Sequence, residues 1–197
     1  LSPGVIATVR RRLGGRPWSA RARRVRFIRA DLNFPRFRAA HYDVIWSSNT
    51  LHHVVNLERL FGCVADALRP GGLFVVHDYI GEARLQFSPH RLARINRLLA
   101  EVPAHLRRGS GPLTAPPLDQ LSPFCGVRPD EIVPLAEARF DVLHRGIAGR
   151  LFPMLLLVDL SRLEGEMPPL FARILAAEAD PTLQACAAYL VLRKRAA

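Results

Sequence analysis

Two β-rich apolar runs flank one amphipathic helix, and this unit constrains the chain more than any other feature. The first run is YDVIWS, Tyr42 to Ser47, and the second is LFVVH, Leu73 to His77. Between them Leu57, Leu60, Phe61, Val64 and Leu68 recur at i, i+3, i+4, i+7 and i+11, the stripe of a helix that buries one face. Asn56 stands before the stripe and can cap its first turn. RPGG, Arg69 to Gly72, stops the helix sharply. Apolar runs of this kind belong to strands buried in a parallel sheet. Strand, helix and strand joined by short turns give a right-handed crossover, so the expected class is α/β.

The rest of the sequence extends that unit. Residues 3–13 read as a helix, with Val5, Ile6, Val9 and Leu13 near helical spacing and Gly14-Gly15 at its end. Val25 to Ala30 reads as a short strand ending at DLN. A further helix begins at Ser88-Pro89, carries Leu92, Ile95, Leu98, Leu99 and Val102 on one stripe, and ends at Pro103. Residues 107–128 lack periodicity and are rich in Gly, Pro and Ser, as expected of a long loop acting as a mobile lid. Then follow a short helix from Pro129 to Glu137, a strand from Phe140 to Arg145, helices over Leu151 to Arg162 and Leu170 to Glu178, and a last strand from Ala187 to Arg195. With 197 residues, 49% of them hydrophobic, the chain can bury one core.

Several function classes drop out. No apolar run reaches 18 residues, so no membrane span is expected. Cys63, Cys125 and Cys186 lie far apart without CxxC spacing, which argues against a zinc or disulfide framework and fits a reducing cytoplasm. The net charge of +11 comes almost wholly from arginine, lysine occurring once at Lys194. The densest run, Arg10 to Arg29, reads either as a phosphate-binding patch or as a solvated face in an arginine-rich chain.

Three segments in order, VRFIRADLN, YDVIWSSNTLHHV and ALRPGGLFVVHDY, resemble the third, fourth and fifth strand motifs of class I S-adenosylmethionine-dependent methyltransferases. YLVLRK near the end resembles the last strand of their closing antiparallel pair. The resemblance implies a Rossmann-like, mostly parallel sheet with a C-terminal antiparallel hairpin. The family's Gly-rich loop and the acidic residue ending its second strand are missing. The resemblance therefore implies a partial domain, 1–197, lacking the first two strands of the family fold and inactive alone. Within it, 25–79 is the core motif region, 80–138 the acceptor and lid region, and 139–197 the closing strand pair with intervening helices.

The family likeness also implies S-adenosylmethionine as cofactor. It places Asp31 against the adenine amino group, Leu32 on the ring, and Ser47, Ser48 and Asn49 at the cofactor edge. Asp31 can instead be a turn residue. His52 and His53 are adjacent, so on a helix they point about 100° apart and do not readily share one metal. The pair is expected to be scaffold, with a catalytic base as the alternative and no metal site. SSNT in place of an Asn/Asp-Pro-Pro-aromatic turn argues against a nucleic-acid base amine as acceptor.

The expected chemistry is methyl transfer, as an O-methyltransferase, to a small molecule or saccharide. His77, Asp78 and Tyr79 are the candidate catalytic group, His77 having the better unperturbed pKa for a base. Arg84 and Gln86 can grip a carboxylate, phosphate or hydroxyls of the acceptor. A surface pair of Asp78 and Arg84, with Tyr79 packed under the lid, is the alternative. Tyr-x-x-x-Lys, needed by short-chain dehydrogenases, is absent. A non-catalytic remnant or interaction module is the competing class.

Overall fold

The computed structural model describes residues 28–196 together with Thr8, Arg11 and Arg26. Among the described residues four strands form one sheet: β1 (Tyr42–Ser48), β2 (Leu68–Tyr79), β3 (Phe140–Ala148) and β4 (Ala187–Lys194), in the order β1-β2-β4-β3. β1 and β2 are parallel; β4 runs antiparallel to both β2 and β3. Three strands thus point one way and β4 alone is reversed, which is the mostly parallel sheet with a reversed closing strand that the sequence predicts.

The crossover helix α1 (Leu57–Ala67) forms as its stripe dictates. The Asn56 side chain accepts from the Arg59 amide, and Leu57, Leu60, Phe61 and Val64 are buried. Leu68 follows the helix as its cap and is also fully buried. These residues pack on Phe74 and Val76 of β2, on Leu190 and Leu192 of β4, and on Ile132, Val133 and Ala136 of α3 (Ile132–Arg139). Phe61, Phe74 and Phe140 meet with ring centroids 5.5–6.4 Å apart, the spacing of tilted and edge-on aromatic contacts.

A second layer is helical. α2 (Pro89–Glu101), α4 (Met154–Leu157), α5 (Leu160–Glu166) and α6 (Pro168–Glu178) enclose Ile95, Leu99, Leu151, Met154, Leu163 and Ile174. α2 is capped by Ser88, which accepts from the Arg91 amide. Arg91 itself is 1% exposed. Its guanidinium donates to Glu82 at 2.8 Å and to the carbonyls of Arg150 and Gln184, tying α2 to the chain on either side of the helical layer. Tyr79, Phe87 and Cys186, with Leu85, Leu92 and Phe152 packed on them, form a small cluster at the carboxyl end of β2.

Some expectations need correction. Of the helix over 3–13, Thr8 and Arg11 are described and are helical; the rest lies outside the described residues. Arg26 and Ile28–Ala30 are not a strand, while Val25 and Phe27 lie outside the described residues. An extended segment becomes a strand only by pairing, and these residues join no ladder. The helix over Leu151 to Arg162 is two helices. Val158 pairs with Arg107, and Asp159 then caps α5 by accepting from the Arg162 amide. β2 also starts earlier than LFVVH, taking in RPGG with an irregularity opposite Tyr42 and Val44. β1 is less covered than a doubly buried strand, Trp46 being 71% exposed.

Candidate functional site

The parallel pair sets the site. Ser48 lies opposite His77 across β1 and β2, so the chain leaving β1 passes beside the last residues of β2. Asn49 turns there with φ 46°, a left-handed conformation that asparagine tolerates better than most residues, and its amide donates to the His77 carbonyl. The next residues, Leu51–His53, form a single tight turn.

Asp78 holds that turn. It is 1% exposed. Its carboxylate accepts from the amides of Thr50 and Leu51 at 2.8 Å, from the His52 amide at 3.3 Å, from its neighbour Tyr79 at 3.0 Å, and from His52 Nδ1 at 2.5 Å. Burial works against ionisation, but the His52 ring and the amides of Thr50 and Leu51 outweigh it, so the carboxyl sits below its ordinary range. An ionised carboxylate only accepts, so His52 donates to it from Nδ1. The expected alternative of a surface pair between Asp78 and Arg84 is not what forms: Asp78 is buried on His52, and Arg84 is turned elsewhere.

Helical azimuth does not set the histidine side chains; tethers do. His52 is tied to Asp78, and His53 Nδ1 lies 3.2 Å from the Phe124 carbonyl. Their ring centroids are 4.0 Å apart. Burial, together with the His52 ring beside it, keeps His53 below the ordinary imidazole value against the opposing pull of Phe124 and Asp78.

Two cavities meet at this turn. One, of roughly 680 Å³, is lined by Arg29, Asp31, Leu32, Asn33, Asn49 and His53 among others. The other, of roughly 490 Å³, is lined by His52, His77, Asp78, Tyr79, Phe152 and Cys186, again with Asn49 and His53. Asn49 and His53 therefore belong to both. Tyr79 donates to the Glu82 carbonyl, and burial raises its phenol pKa. Burial likewise pushes the Cys186 thiol up to about 12.

The expected cofactor residues divide. Asp31, Leu32 and Asn49 line the larger cavity. Ser47 lines an adjoining hollow with Trp46 and Leu60, which shares Ala30, Leu32 and Thr50 with the larger cavity. Ser48 uses its carbonyl to accept from the Thr50 hydroxyl. Asp31 Oδ1 accepts from the Asn33 amide at 2.9 Å and from its side chain at 3.3 Å, an Asx turn, while Oδ2 has no partner among the described residues. Asn33, unnoticed in the sequence, accepts from Val55 and Asn56 and so locks this loop to the start of α1.

Arg84 and Gln86 do not line the acceptor-side cavity. Arg84 donates to the carbonyls of Ser122 and Cys125, at 2.8 and 3.2 Å, and Gln86 donates to those of Arg84 and Pro116. Both side chains fasten the 107–128 loop rather than line that cavity. Arg84 and Leu85 have φ 57° and 54°, a conformation costly for non-glycine residues and held here by the Arg84 amide on the Gly126 carbonyl.

Cavities at the carboxyl ends of parallel strands are where open α/β sheets bind ligands. Residues 1–76 match the family described as a methyltransferase domain. A geranyl diphosphate methyltransferase solved with SAM shares the fold at TM-score 0.55 and 14% identity, over 99% of this chain and 66% of that one. The 4+2 cyclase SpnF does so at TM-score 0.53 and 16% identity, over 100% and 65%. The geranyl diphosphate C-methyltransferase of Streptomyces coelicolor follows at 0.50 and 14%, over 94% and 59%. The chain thus spans about two thirds of the length of the solved proteins it resembles. No curated protein matches the sequence. That family match takes in less than half of the chain, and over the rest the likeness to these solved proteins is one of fold. No helix among the described residues is long and apolar enough to cross a membrane.

Proposed function

We propose that the chain supplies the adenine side and the acceptor side of an S-adenosylmethionine-dependent methyltransferase acting on a hydroxyl of a small molecule. The observation that carries this reading is the pair of cavities sharing Asn49 and His53, with the His52–Asp78 pair on the wall of the second. The larger cavity fits the nucleoside end of the cofactor. Asp31 has an oxygen left to accept from an amino group, and Leu32 offers an apolar face. Bound there, the cofactor supplies a methyl group already activated by its sulfonium.

The protein's own part is alignment and proton removal. His52 Nε2 would take the proton of an acceptor hydroxyl held in the 490 Å³ cavity. Asp78 does not touch the acceptor; it fixes the tautomer and orientation of His52 and stabilises the imidazolium, so it is a positioning residue. Tyr79 forms wall, and His77 stands exposed at the rim. Leu85, Phe152, Leu156 and Tyr79 favour an acceptor with an apolar body over a saccharide. Residues 80–138 form the acceptor-side segment, and a cytoplasmic enzyme agrees with the free thiols.

The test is methyl transfer by the full-length protein with a panel of hydroxylated acceptors. His52→Ala should lower turnover by about 100-fold or more while cofactor affinity stays unchanged. His77→Ala should have little effect. Turnover of the His52 variant within threefold of wild type would remove it from the mechanism.

A further inference from the structure

His52, His53 and Cys125 form a donor set that the methyl-transfer reading does not use as such. One ligand atom from each lies within 4.8 Å of the other two. Each imidazole is already oriented as metal-bound imidazoles are, with one nitrogen held by an oxygen acceptor. For His52 it is the Asp78 carboxylate, and for His53 the Phe124 carbonyl. With both Nδ1 atoms engaged, both rings keep Nε2 as the lone-pair donor. Cys125 is fixed by its own turn. Arg84 grips the carbonyls of Ser122 and Cys125, and the Val127 amide donates to the His52 carbonyl at 3.0 Å, fastening this turn to the histidine turn. All three residues line the 490 Å³ cavity.

We propose that His52, His53 and Cys125 bind a thiophilic divalent cation of the zinc class, with its fourth position open to the acceptor-side cavity. Two imidazoles and a thiolate suit such a cation and disfavour magnesium and calcium, which take oxygen donors. Three protein ligands with one open position is the arrangement of accessible zinc sites rather than closed structural ones. Binding breaks the Cys125 S–H bond, forms the sulfur–metal bond, and releases the proton to solvent. The cation takes the Nε2 lone pair of His52, so cation binding and proton abstraction by His52 exclude each other. Binding itself does not rest on the methyl-transfer reading.

Cobalt(II) serves as the probe, titrated into the reduced full-length protein without cofactor or acceptor. Equimolar binding is expected, with a sulfur-to-cobalt charge-transfer band and the strong visible bands of a four-coordinate site, all discharged by one equivalent of zinc. Cys125→Ser should abolish the charge-transfer band, Cys63→Ser should leave it, and His53→Ala should weaken cobalt binding at least tenfold, with thermal melts showing that each variant is folded. No thiolate band in the wild type, or the same band in folded Cys125→Ser, overturns the proposal. Turnover of the His52 variant in metal-free buffer is a separate readout, so either idea can fail alone.

Discussion

Asp78→Asn replaces an acceptor-only group with one that must also donate, at a site where every neighbour already donates. Four amides and the His52 ring converge on the carboxylate, the amides at 2.8–3.3 Å. In the best orientation the new amide oxygen keeps Thr50 and Leu51. Its NH₂ then faces His52, which must move its proton to Nε2 in order to accept. The Tyr79 amide is left buried without an acceptor, and the long bond from the His52 amide is lost as well. One unpartnered buried donor costs about 1–3 kcal/mol, and losing a charge-assisted bond adds about 1 kcal/mol more. The expected loss is therefore about 2–4 kcal/mol, read as a lower guanidinium midpoint with an unchanged slope. Nitrogen NMR of the His52 ring should show the proton moved from Nδ1 to Nε2. A variant within about 0.5 kcal/mol of wild type, with His52 still protonated on Nδ1, would show that Asp78 does not hold this turn.

The same carboxylate sets a pH dependence. Its folded-state pKa is lowered, so its contribution is complete above the ordinary aspartate value of about 3.9 and disappears as pH falls through the lowered one. The stability gap between wild type and Asp78→Asn should therefore close in acid; a gap constant down to full protonation would refute this. Gly81→Ala would place a Cβ 2.6 Å from both Cys186 Sγ and Tyr79 Oη, and overpacking of this kind costs about 1–3 kcal/mol, measurable by thermal melting. Arg84→Ala should speed amide exchange and proteolysis across residues 116–126 while leaving β1 and β2 protected, because the guanidinium bonds to Ser122 and Cys125 are lost. Arg128→Ala removes contacts to Glu58, Glu131 and the Val55 carbonyl and should cost about 0.5–1 kcal/mol, less at high salt; no change in a urea melt would count against it.

What the sequence shows well is local or periodic. α1 is legible because Asn56 and a five-residue stripe report a cap and a buried face without reference to anything distant. The β1–α1–β2 crossover follows from handedness and apolar runs alone. Pairings between distant segments are not legible in this way. Asp78 looks free in HDY because nothing nearby shows that a turn 26 residues upstream turns its amides toward it. Arg84 and Gln86 announce donors but not their targets, which prove to be backbone carbonyls of the long loop. Arg91 sits in a helix whose leucines imply burial, yet an arginine there reads as solvent-facing until Glu82 and two carbonyls supply its partners. The convergence of His52, His53 and Cys125 depends on tethers from Asp78 and Phe124, and a rule based on helical azimuth misses it.

The strand order has a consequence for how the protein is made. β4 is the last of the four strands along the chain, yet it lies between β2 and β3. While the chain is leaving the ribosome, β1 and β2 can pair and α1 can settle on them. The inner edge of β2 stays bare meanwhile, and β3 has no strand on which to dock. Sheet closure then waits for Ala187–Lys194 to emerge and enter between two segments made much earlier, a late long-range step of the kind that slows folding. In the nascent chain the bare β2 edge, with Phe74 and Val76 not yet covered by Leu190 and Leu192, is where a chaperone has most to protect.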